Sequence, residues 1–259
     1  MNENKSVKVL LNFFWRFAER CGAQIVTFIV SVVLARILTP EDYGQIALIL
    51  VFTTVMQVFV DSGLGTALIQ KKDADDLDFS SVFYFNFGVC LVLYAVMFIA
   101  SPYIASFYQA PNLVNVIRVT SLTIVISGVK GIQQSYVSRH MLFKRFFFAT
   151  LGGTIFSAFL GIALAYAGCG IWAIVAQQLS NTAIDTLILW LTVKWRPTRA
   201  FSWKRLTHLL AFGWKMLASS LLDTLYNNLR SLIIGKMYSS SDLAYYDQGR
   251  KFPSVIVTN

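Results

Sequence analysis

Charged side chains inside long apolar segments are the residues of this sequence whose types and spacing could do chemistry. The cations among them are Arg16, Arg20, Arg118, Lys130, Lys215 and Arg230, and the anions are Glu19, Asp61, Asp185 and Asp223. A charge in hydrocarbon costs at least about 2.5 to 3.5 kcal/mol on insertion scales, so such residues need partners or a hydrated cavity. Because cations outnumber anions, the cavity favours an anionic group such as a phosphate or pyrophosphate, which Arg binds in a bidentate manner.

Helical periodicity places most of these charges on polar stripes. The predicted stripes are Arg16, Arg20, Thr27 and Ser31; Thr54, Gln57 and Asp61; Gln177, Asn181 and Asp185; and Lys215, Ser219, Asp223 and Arg230. Arg118 and Lys130 share a poorer stripe. We therefore predict a shared hydrated interior in which the cations bind substrate. Asp61, Asp185 and Asp223 are the candidates for coupling to a proton or a sodium ion.

A structural interpretation of the same charges stays open beside the functional one. Arg16 and Glu19 are spaced to form an ion pair on one helix, and Lys215 and Asp223 could be paired through another helix. Long basic side chains near the ends of a span also reach the headgroups, which applies to Arg16, Arg20, Arg118 and Lys130. The sequence alone does not separate the two interpretations.

The sequence offers no catalytic or metal-ligating constellation. The histidines are His140 and His208, and neither lies in a nucleophile or metal motif. Cys21, Cys90 and Cys169 lie in apolar runs without metal-ligand spacing, so we interpret them as buried or lipid-facing residues. We expect a protein that is not an enzyme and that carries no metal or organic cofactor.

Composition indicates a bilayer as the solvent. Of the 259 residues, 56% are hydrophobic and only 14% are charged, and the mean hydropathy is +0.60. A soluble fold of this size needs more polar surface. The formal net charge of +9 is then explained by basic loops at a membrane surface, and we expect no nucleic-acid partner.

Apolar lengths predict an all-α polytopic bundle of transmembrane helices. We predict spans at about 9–38, 43–69, 79–101 and 113–139. A charge-free run at 146–184, interrupted at 168–170, supplies a fifth span and most of a sixth, which ends near 193. A seventh span covers about 206–235, preceded by a basic segment along the membrane surface, and an eighth begins at 248. The predicted domains are a six-helix lobe at 1–205 and the start of a second lobe at 206–259, which we expect to be incomplete.

Loop charges predict the orientation. One set of alternate loops holds Lys5, Lys8, Lys71, Lys72, Arg139, Lys144, Arg145, Lys194, Arg196, Arg199, Lys204 and Arg205, whereas the other set holds Arg36 and Lys236. Basic loops stay in the cytoplasm, so we predict a cytoplasmic N-terminus in a bacterial inner membrane.

An internal repeat relates two parts of the chain. Residues 34–44 align without gaps on residues 234–244, and both segments carry a cation, an apolar pair, a hydroxyl residue and an aspartate in the same order. Trp15-Arg16 is echoed by Trp214-Lys215. Transporters are often built from repeated bundles, so the repeat predicts that the seventh helix opens a second lobe.

Two motifs resemble a known family. Residues 33–44 read VLARILTPEDYG and residues 61–72 read DSGLGTALIQKK, and the stretch 245–253 adds to the likeness. Together they resemble the polysaccharide transporter family of the multidrug/oligosaccharidyl-lipid/polysaccharide flippase superfamily, and in particular its exporters of O-antigen, colanic acid and teichuronic acid.

The resemblance implies a two-lobed bundle with a fold like that of the multidrug exporters of this superfamily. It implies a flippase that moves undecaprenyl-pyrophosphate-linked oligosaccharide across the inner membrane by alternating access, for lipopolysaccharide, capsule or exopolysaccharide synthesis. The implied partners are the lipid bilayer, the lipid-linked oligosaccharide, a polysaccharide polymerase and a chain-length regulator. A cation-coupled drug exporter, a repeat-unit polymerase and a non-transporting assembly component are the alternatives.

Overall fold

The structure, a computed structural model, describes residues 3–61 and 63–257, and describes side chains for residues 14–61 and 63–250. Its helices are α1 (Glu3–Ile37), α2 (Pro40–Asp61), α3 (Leu64–Gln70), α4 (Asp76–Phe107), α5 (Leu113–Thr120), α6 (Leu122–Arg139), α7 (Phe143–Tyr166), α8 (Ile171–Thr192), α9 (Trp203–Met237) and α10 (Ser240–Val257). The described residues contain helices and turns but no strand, so the all-α prediction is confirmed.

Five helical segments of the described chain are long and apolar enough to cross a membrane. They are Phe14–Ile37, Pro40–Gln70, Asp76–Phe107, Leu113–Arg139 and Phe143–Tyr166. The chain is therefore a multi-pass membrane protein. Helices α8 and α9 are not among these five segments, so their spanning the membrane stays a prediction from the sequence.

The helices pack in a defined order. Helix α1 packs on α7, α7 on α8, α8 on α6 and α6 on α4, while α2 contacts α6, α9 and α10. The loops lie at two ends of the bundle. The basic end holds the loops at 71–75, 140–142 and 193–202. The opposite end holds the loops at 38–39, 108–112, 167–170 and 238–239. Small residues permit close packing, since a Cβ on Gly128 of α6 would lie 2.3 Å from the Cys90 sulfur of α4.

Helix α4 continues through Pro102, so the prediction that the third span ends near Ser101 is wrong. Proline has no N–H to donate to the carbonyl four residues earlier, which here belongs to Phe98. The Ser101 hydroxyl donates to that carbonyl instead, at 2.8 Å. A neighbouring hydroxyl thus satisfies the carbonyl, which is how proline is tolerated inside membrane helices.

The second and fourth predicted spans are each divided into two helices. The second is divided after Asp61, and Gly63 adopts a left-handed φ of 62° before α3 begins. A Cβ on Gly63 would lie 2.7 Å from the Gly213 carbonyl oxygen, so glycine also permits the close approach of α9. The fourth is divided at Ser121, whose hydroxyl donates to the Ile117 carbonyl at 2.7 Å.

One prediction about the last helices is wrong and another stays a prediction. The basic segment before the seventh span forms the first turn of α9, which begins at Trp203, and its position along the membrane surface stays a prediction. The eighth segment begins at Ser240 rather than at Gln248. The early start has a capping cause, because the Ser239 hydroxyl and Asp242 exchange hydrogen bonds across the first turn.

The turn before α10 repeats the turn before α2. Helices α1 and α9 are each 35 residues long and end at Ile37 and Met237. Asp42 accepts from the Thr39 hydroxyl at 2.7 Å, and Asp242 accepts from the Ser239 hydroxyl at 2.6 Å. The predicted repeat is therefore matched in the structure. Helix α1 corresponds to α9, and the capped turn at residue 39 corresponds to the capped turn 200 residues later, at residue 239. The division into lobes at residue 205 stays a prediction.

Candidate functional site

A charged network joins three helices inside the bundle. Lys130 of α6 forms an ion pair of 3.1 Å with Asp185 of α8, and the two side chains are only 19% and 12% exposed. Asp61 of α2 is close enough to Lys130 to feel its charge, without a direct ion pair among the described contacts, and it accepts a hydrogen bond from Gln57 at 3.3 Å. The structure thus pairs Asp185 with Lys130 and places Asp61, a second predicted coupling carboxylate, within reach of the same charge.

A small polar cavity adjoins Asp61 between α2, α3, α4 and α6. Its volume is about 160 Å³, and its polar lining includes Asp61, Thr66, Asn86, Gln134, Ser135 and Ser138. Such a cavity has room and hydrogen-bonding groups for several water molecules. Asp61 therefore borders a space that can be hydrated.

Arg16 lies in the contact between α1 and α7. Its Nη1 donates to Glu19 Oε2 at 2.7 Å, and Glu19, which is buried, also accepts from the Thr150 hydroxyl at 3.3 Å. The Arg16 guanidinium lies over the rings of Phe143 and Phe146. The structural interpretation therefore explains the position of Arg16.

Arg118 supports the proline in α4. Its Nε donates to the Ser101 hydroxyl at 3.0 Å, and its guanidinium lies 4.1 Å from the centre of the Phe98 ring. The Ser101 hydroxyl in turn donates to the Phe98 carbonyl. Arg118 thus belongs to the hydrogen-bonded chain that keeps α4 helical past Pro102.

Arg20, Lys215 and Arg230 differ from the other predicted cations because they have no partner among the described residues. All three side chains are exposed on α1 or α9. Asp223, also exposed on α9, accepts a hydrogen bond from Asn227 at 3.0 Å. No described contact joins it to Lys215, Asp61 or Asp185, so the structure separates Asp223 from the other two carboxylates. The substrate-binding and ion-coupling roles of all these residues stay predictions.

Two arginines counted in the sequence only as loop charges bind helix ends. Arg139 Nη1 donates to the Leu68 carbonyl at 2.8 Å and Nη2 to the Lys72 carbonyl at 2.7 Å, which satisfies the end of α3. Arg196 Nη1 donates to the Val193 carbonyl at 2.5 Å just after α8. Cations are favoured at helix C-termini. The position of both arginines near the end of an apolar run could therefore have predicted that they bind helix ends.

Asp75 and Asp78 lie at the start of α4, where Asp75 forms an ion pair with α9. Asp75 caps α4 in a reciprocal capping box with Asp78, and Arg205 Nη1 contacts Asp75 Oδ2 at 2.5 Å. Asp78 is fully buried and forms an ion pair of 2.6 Å with Lys71. The hydrogen bond from Arg205 lowers the pKa of Asp75 below its ordinary value.

Comparison with known proteins gives a consistent set of relatives. A family model described as polysaccharide biosynthesis protein matches residues 33–259. The chain is 24% identical over 247 residues to the succinoglycan biosynthesis transport protein ExoT of Rhizobium meliloti, with 95% of this chain and 50% of that protein covered. It is 30% identical over 202 residues to the teichuronic acid biosynthesis protein TuaB of Bacillus subtilis, covering 75% and 41% respectively.

A third relative is the lipopolysaccharide biosynthesis protein WzxC of Escherichia coli, which is 25% identical over 222 residues, covering 83% of this chain and 44% of that protein. The chain spans about half the length, or somewhat less, of these curated relatives. No solved structure is significantly similar to it. Since the family model covers residues 33–259 of a multi-pass helical bundle, the chain belongs to the polysaccharide biosynthesis protein family of polysaccharide transporters.

Proposed function

We propose that this chain is part of a flippase that moves acidic, undecaprenyl-pyrophosphate-linked oligosaccharide across the bacterial inner membrane by alternating access, with its N-terminus in the cytoplasm. The activity is transport without covalent chemistry. The names of the relatives, which include a succinoglycan transport protein and proteins of teichuronic acid and lipopolysaccharide synthesis, support this class of cargo.

The observation that carries the proposal is that three exposed cations have no acidic partner among the described residues, whereas two acidic residues are paired. Glu19 and Asp185 are held in ion pairs with Arg16 and Lys130. The exposed cations Arg20, Lys215 and Arg230 have no acidic partner among the described residues. Cations without partners are too costly to face lipid, so we place them on a hydrated path, where they favour a phosphate or carboxylate cargo.

Tight packing at the opposite end supports a state that is closed on that side. A Cβ on Gly44 of α2 would lie 1.8 Å from the Ser240 carbonyl oxygen of α10. Ala47, Leu48 and Leu243 form a small buried apolar cluster beside this contact, and Lys236 Nζ donates to the Phe107 carbonyl at 2.7 Å. In the proposed cycle, α2 and α10 separate here when the cargo leaves.

The Asp61, Lys130 and Asp185 network is the element we propose for ion coupling. One cation paired with Asp185 and near Asp61 leaves a net negative charge that a proton or a sodium ion can neutralise. The polar cavity that Asp61 lines can hold water and offers the ion a route.

The proposal is tested in cells that carry the variant alleles on the chromosome. Arg20→Ala, Lys215→Ala and Arg230→Ala are each expected to lower surface polysaccharide at unchanged protein level in the membrane, and their combination to abolish it. Arg199→Ala removes the same charge from the loop before α9, where Arg199 is exposed, and is the matched control. Normal polysaccharide in the combined variant would contradict the proposal.

A deletion strain that gains drug sensitivity but keeps its polysaccharide would point to the drug exporter instead.

A further inference from the structure

A cleft between α9 and α10 contains two arginines and three tyrosines. Its volume is about 490 Å³, and it is lined by Tyr226, Asn227, Arg230, Tyr245, Tyr246, Gly249 and Arg250. Clefts of roughly 300 to 1,000 Å³ hold a molecule of drug size. The cleft therefore has the dimensions for part of an oligosaccharide rather than for a whole repeat unit.

The cleft is built from the same pattern on both helices. Tyr226 and Arg230 are four residues apart on α9, and Tyr246 and Arg250 are four residues apart on α10. Residues at this spacing share one helix face. Each wall thus offers an aromatic ring with an arginine one turn away.

Both arginines keep hydrogen-bonding capacity for a ligand. Arg250 Nη1 donates to the Asn227 carbonyl at 2.9 Å, which holds the guanidinium across the cleft with its remaining donors unused in the described contacts. Arg230 is exposed and has no partner among the described residues. None of the described lining residues is acidic, so the cleft favours an anionic ligand.

The aromatic lining narrows the class of that ligand. Tyr226 and Tyr245 are 71% and 68% exposed, and a tyrosine combines an apolar ring with a hydroxyl that needs a hydrogen-bond partner. A sugar ring has apolar C–H faces and polar hydroxyls that match this surface. Gly249 leaves the cleft open, since a Cβ there would have no atom within 4 Å.

We propose that this cleft is a binding site for a sugar joined to an anionic group, and that it holds one such unit of the transported glycan. The proposal rests on the proposed function. Two sources offer this chemistry, namely the sugar phosphate next to the lipid and an acidic sugar within the repeat unit.

Binding to the purified complete gene product in detergent separates these sources. Calorimetric titrations with N-acetylglucosamine 1-phosphate and with glucuronic acid are compared with titrations of neutral N-acetylglucosamine and of inorganic phosphate. We expect one of the anionic sugars to bind at least about tenfold more tightly than both the neutral sugar and phosphate. A preference for the sugar phosphate identifies the lipid-proximal unit, and a preference for the uronic acid identifies an acidic sugar. Equal or absent binding of all four compounds would overturn the proposal.

Variants locate the binding in the cleft. Arg230→Ala and Arg250→Ala are each expected to weaken binding of the preferred compound by about tenfold, since each removes a charge-assisted interaction. Gly249→Phe fills the cleft without changing any charge and should abolish binding. Gly88→Phe is its matched control, because a Cβ on Gly88 of α4 also has no atom within 4 Å. Unchanged binding in Gly249→Phe would place the site elsewhere.

The same variants distinguish failure of this site from failure of the transport proposal. Normal surface polysaccharide in the Arg250→Ala and Gly249→Phe alleles, which leave Arg20, Lys215 and Arg230 in place, would overturn the cleft as a transport site and leave the transport proposal standing. A deletion strain that keeps its surface polysaccharide would instead overturn the transport proposal itself.

Discussion

Lys130 and Asp185 illustrate, at the residue scale, how an interior charge depends on its partner. Their ion pair of 3.1 Å lies between α6 and α8, where both side chains are largely buried. The attraction offsets the cost of removing two charges from water only while both partners are present. Arg16 and Arg118 have likewise found partners within the protein, whereas Arg20 has none among the described residues.

Breaking the Lys130 and Asp185 pair should be costly. Lys130→Met and Asp185→Asn are each expected to lower the free energy of unfolding by about 3 to 5 kcal/mol, because the remaining group is left buried without its partner. Chemical denaturation of the complete gene product in detergent measures this. The double variant should lose less than the sum of the single losses. Lys194→Met, at an exposed loop position, is the control, and additive losses would show that the pair is not energetically coupled.

The Asp75 and Arg205 contact should make stability depend on pH. The pKa of Asp75 is lower in the folded chain than its ordinary value of 3.8, so the ionised carboxylate stabilises the fold above that pH, and this contribution is lost as the pH falls through the folded pKa. Asp75→Asn keeps a capping residue at the start of α4 but removes the charge.

Thermal unfolding of Asp75→Asn, followed by circular dichroism, should therefore begin at a lower temperature than wild type at pH 7 and at the same temperature as wild type once the carboxylate is protonated in strong acid. Asp73→Asn changes the same charge at an exposed loop position and should have no effect. A deficit of Asp75→Asn that is the same at both pH values would contradict the assignment.

At the scale of elements, the contact between α2 and α10 at the opposite end depends on Gly44. Any side chain at this position would meet the backbone of Ser240. Gly44→Val is therefore expected to force the two helix ends apart and to expose the small apolar cluster beside them. Gly88→Val, which meets no atom within 4 Å, is the control.

A cysteine at Ala47, which is 4% exposed, reports this opening in a variant otherwise free of cysteine. We expect a membrane-impermeant maleimide to label Ala47→Cys slowly alone and several-fold faster together with Gly44→Val. Equal labelling rates would show that Gly44 does not hold this end closed.

Element boundaries were predictable where composition alone decides them. The last residues of α1 and α7, Ile37 and Tyr166, lie close to the predicted ends because a proline or glycines interrupt the apolar runs there. Pro102 was misleading, since whether proline ends a helix depends on whether another group satisfies the Phe98 carbonyl. The start of α10 was missed because apolar length predicts spans, whereas the Ser239 and Asp242 cap begins a helix of low hydropathy.

The candidate site was less predictable than the fold. Periodicity placed Asp185 on a polar stripe and Lys130 on a poorer one, but it could not show that they pair across two helices far apart in sequence. Arg250 was not singled out, because its interest comes from the cleft that it forms with Arg230 and three tyrosines. Partner identity is a tertiary property and is not encoded in the pattern of one helix.

At the scale of the whole molecule, the proposed orientation can be tested with a native cysteine. Cys169 is exposed in the turn before α8, at the opposite end, which we place in the periplasm. In spheroplasts, an impermeant maleimide should label Cys169 without permeabilisation. A cysteine at Arg199, at the basic end, introduced into a Cys169→Ser variant, should react only after permeabilisation. The reverse pattern would contradict the proposed orientation.

The most direct test of the central claim is translocation in proteoliposomes. The complete gene product is reconstituted with the acidic lipid-linked oligosaccharide of its own strain, and arrival of the glycan on the opposite leaflet is followed by its accessibility to a membrane-impermeant lectin. The account predicts translocation well above that of empty vesicles, lost in the combined Arg20, Lys215 and Arg230 alanine variant and retained in Arg199→Ala. Translocation no faster than in empty vesicles, or undiminished in the combined variant, would contradict it.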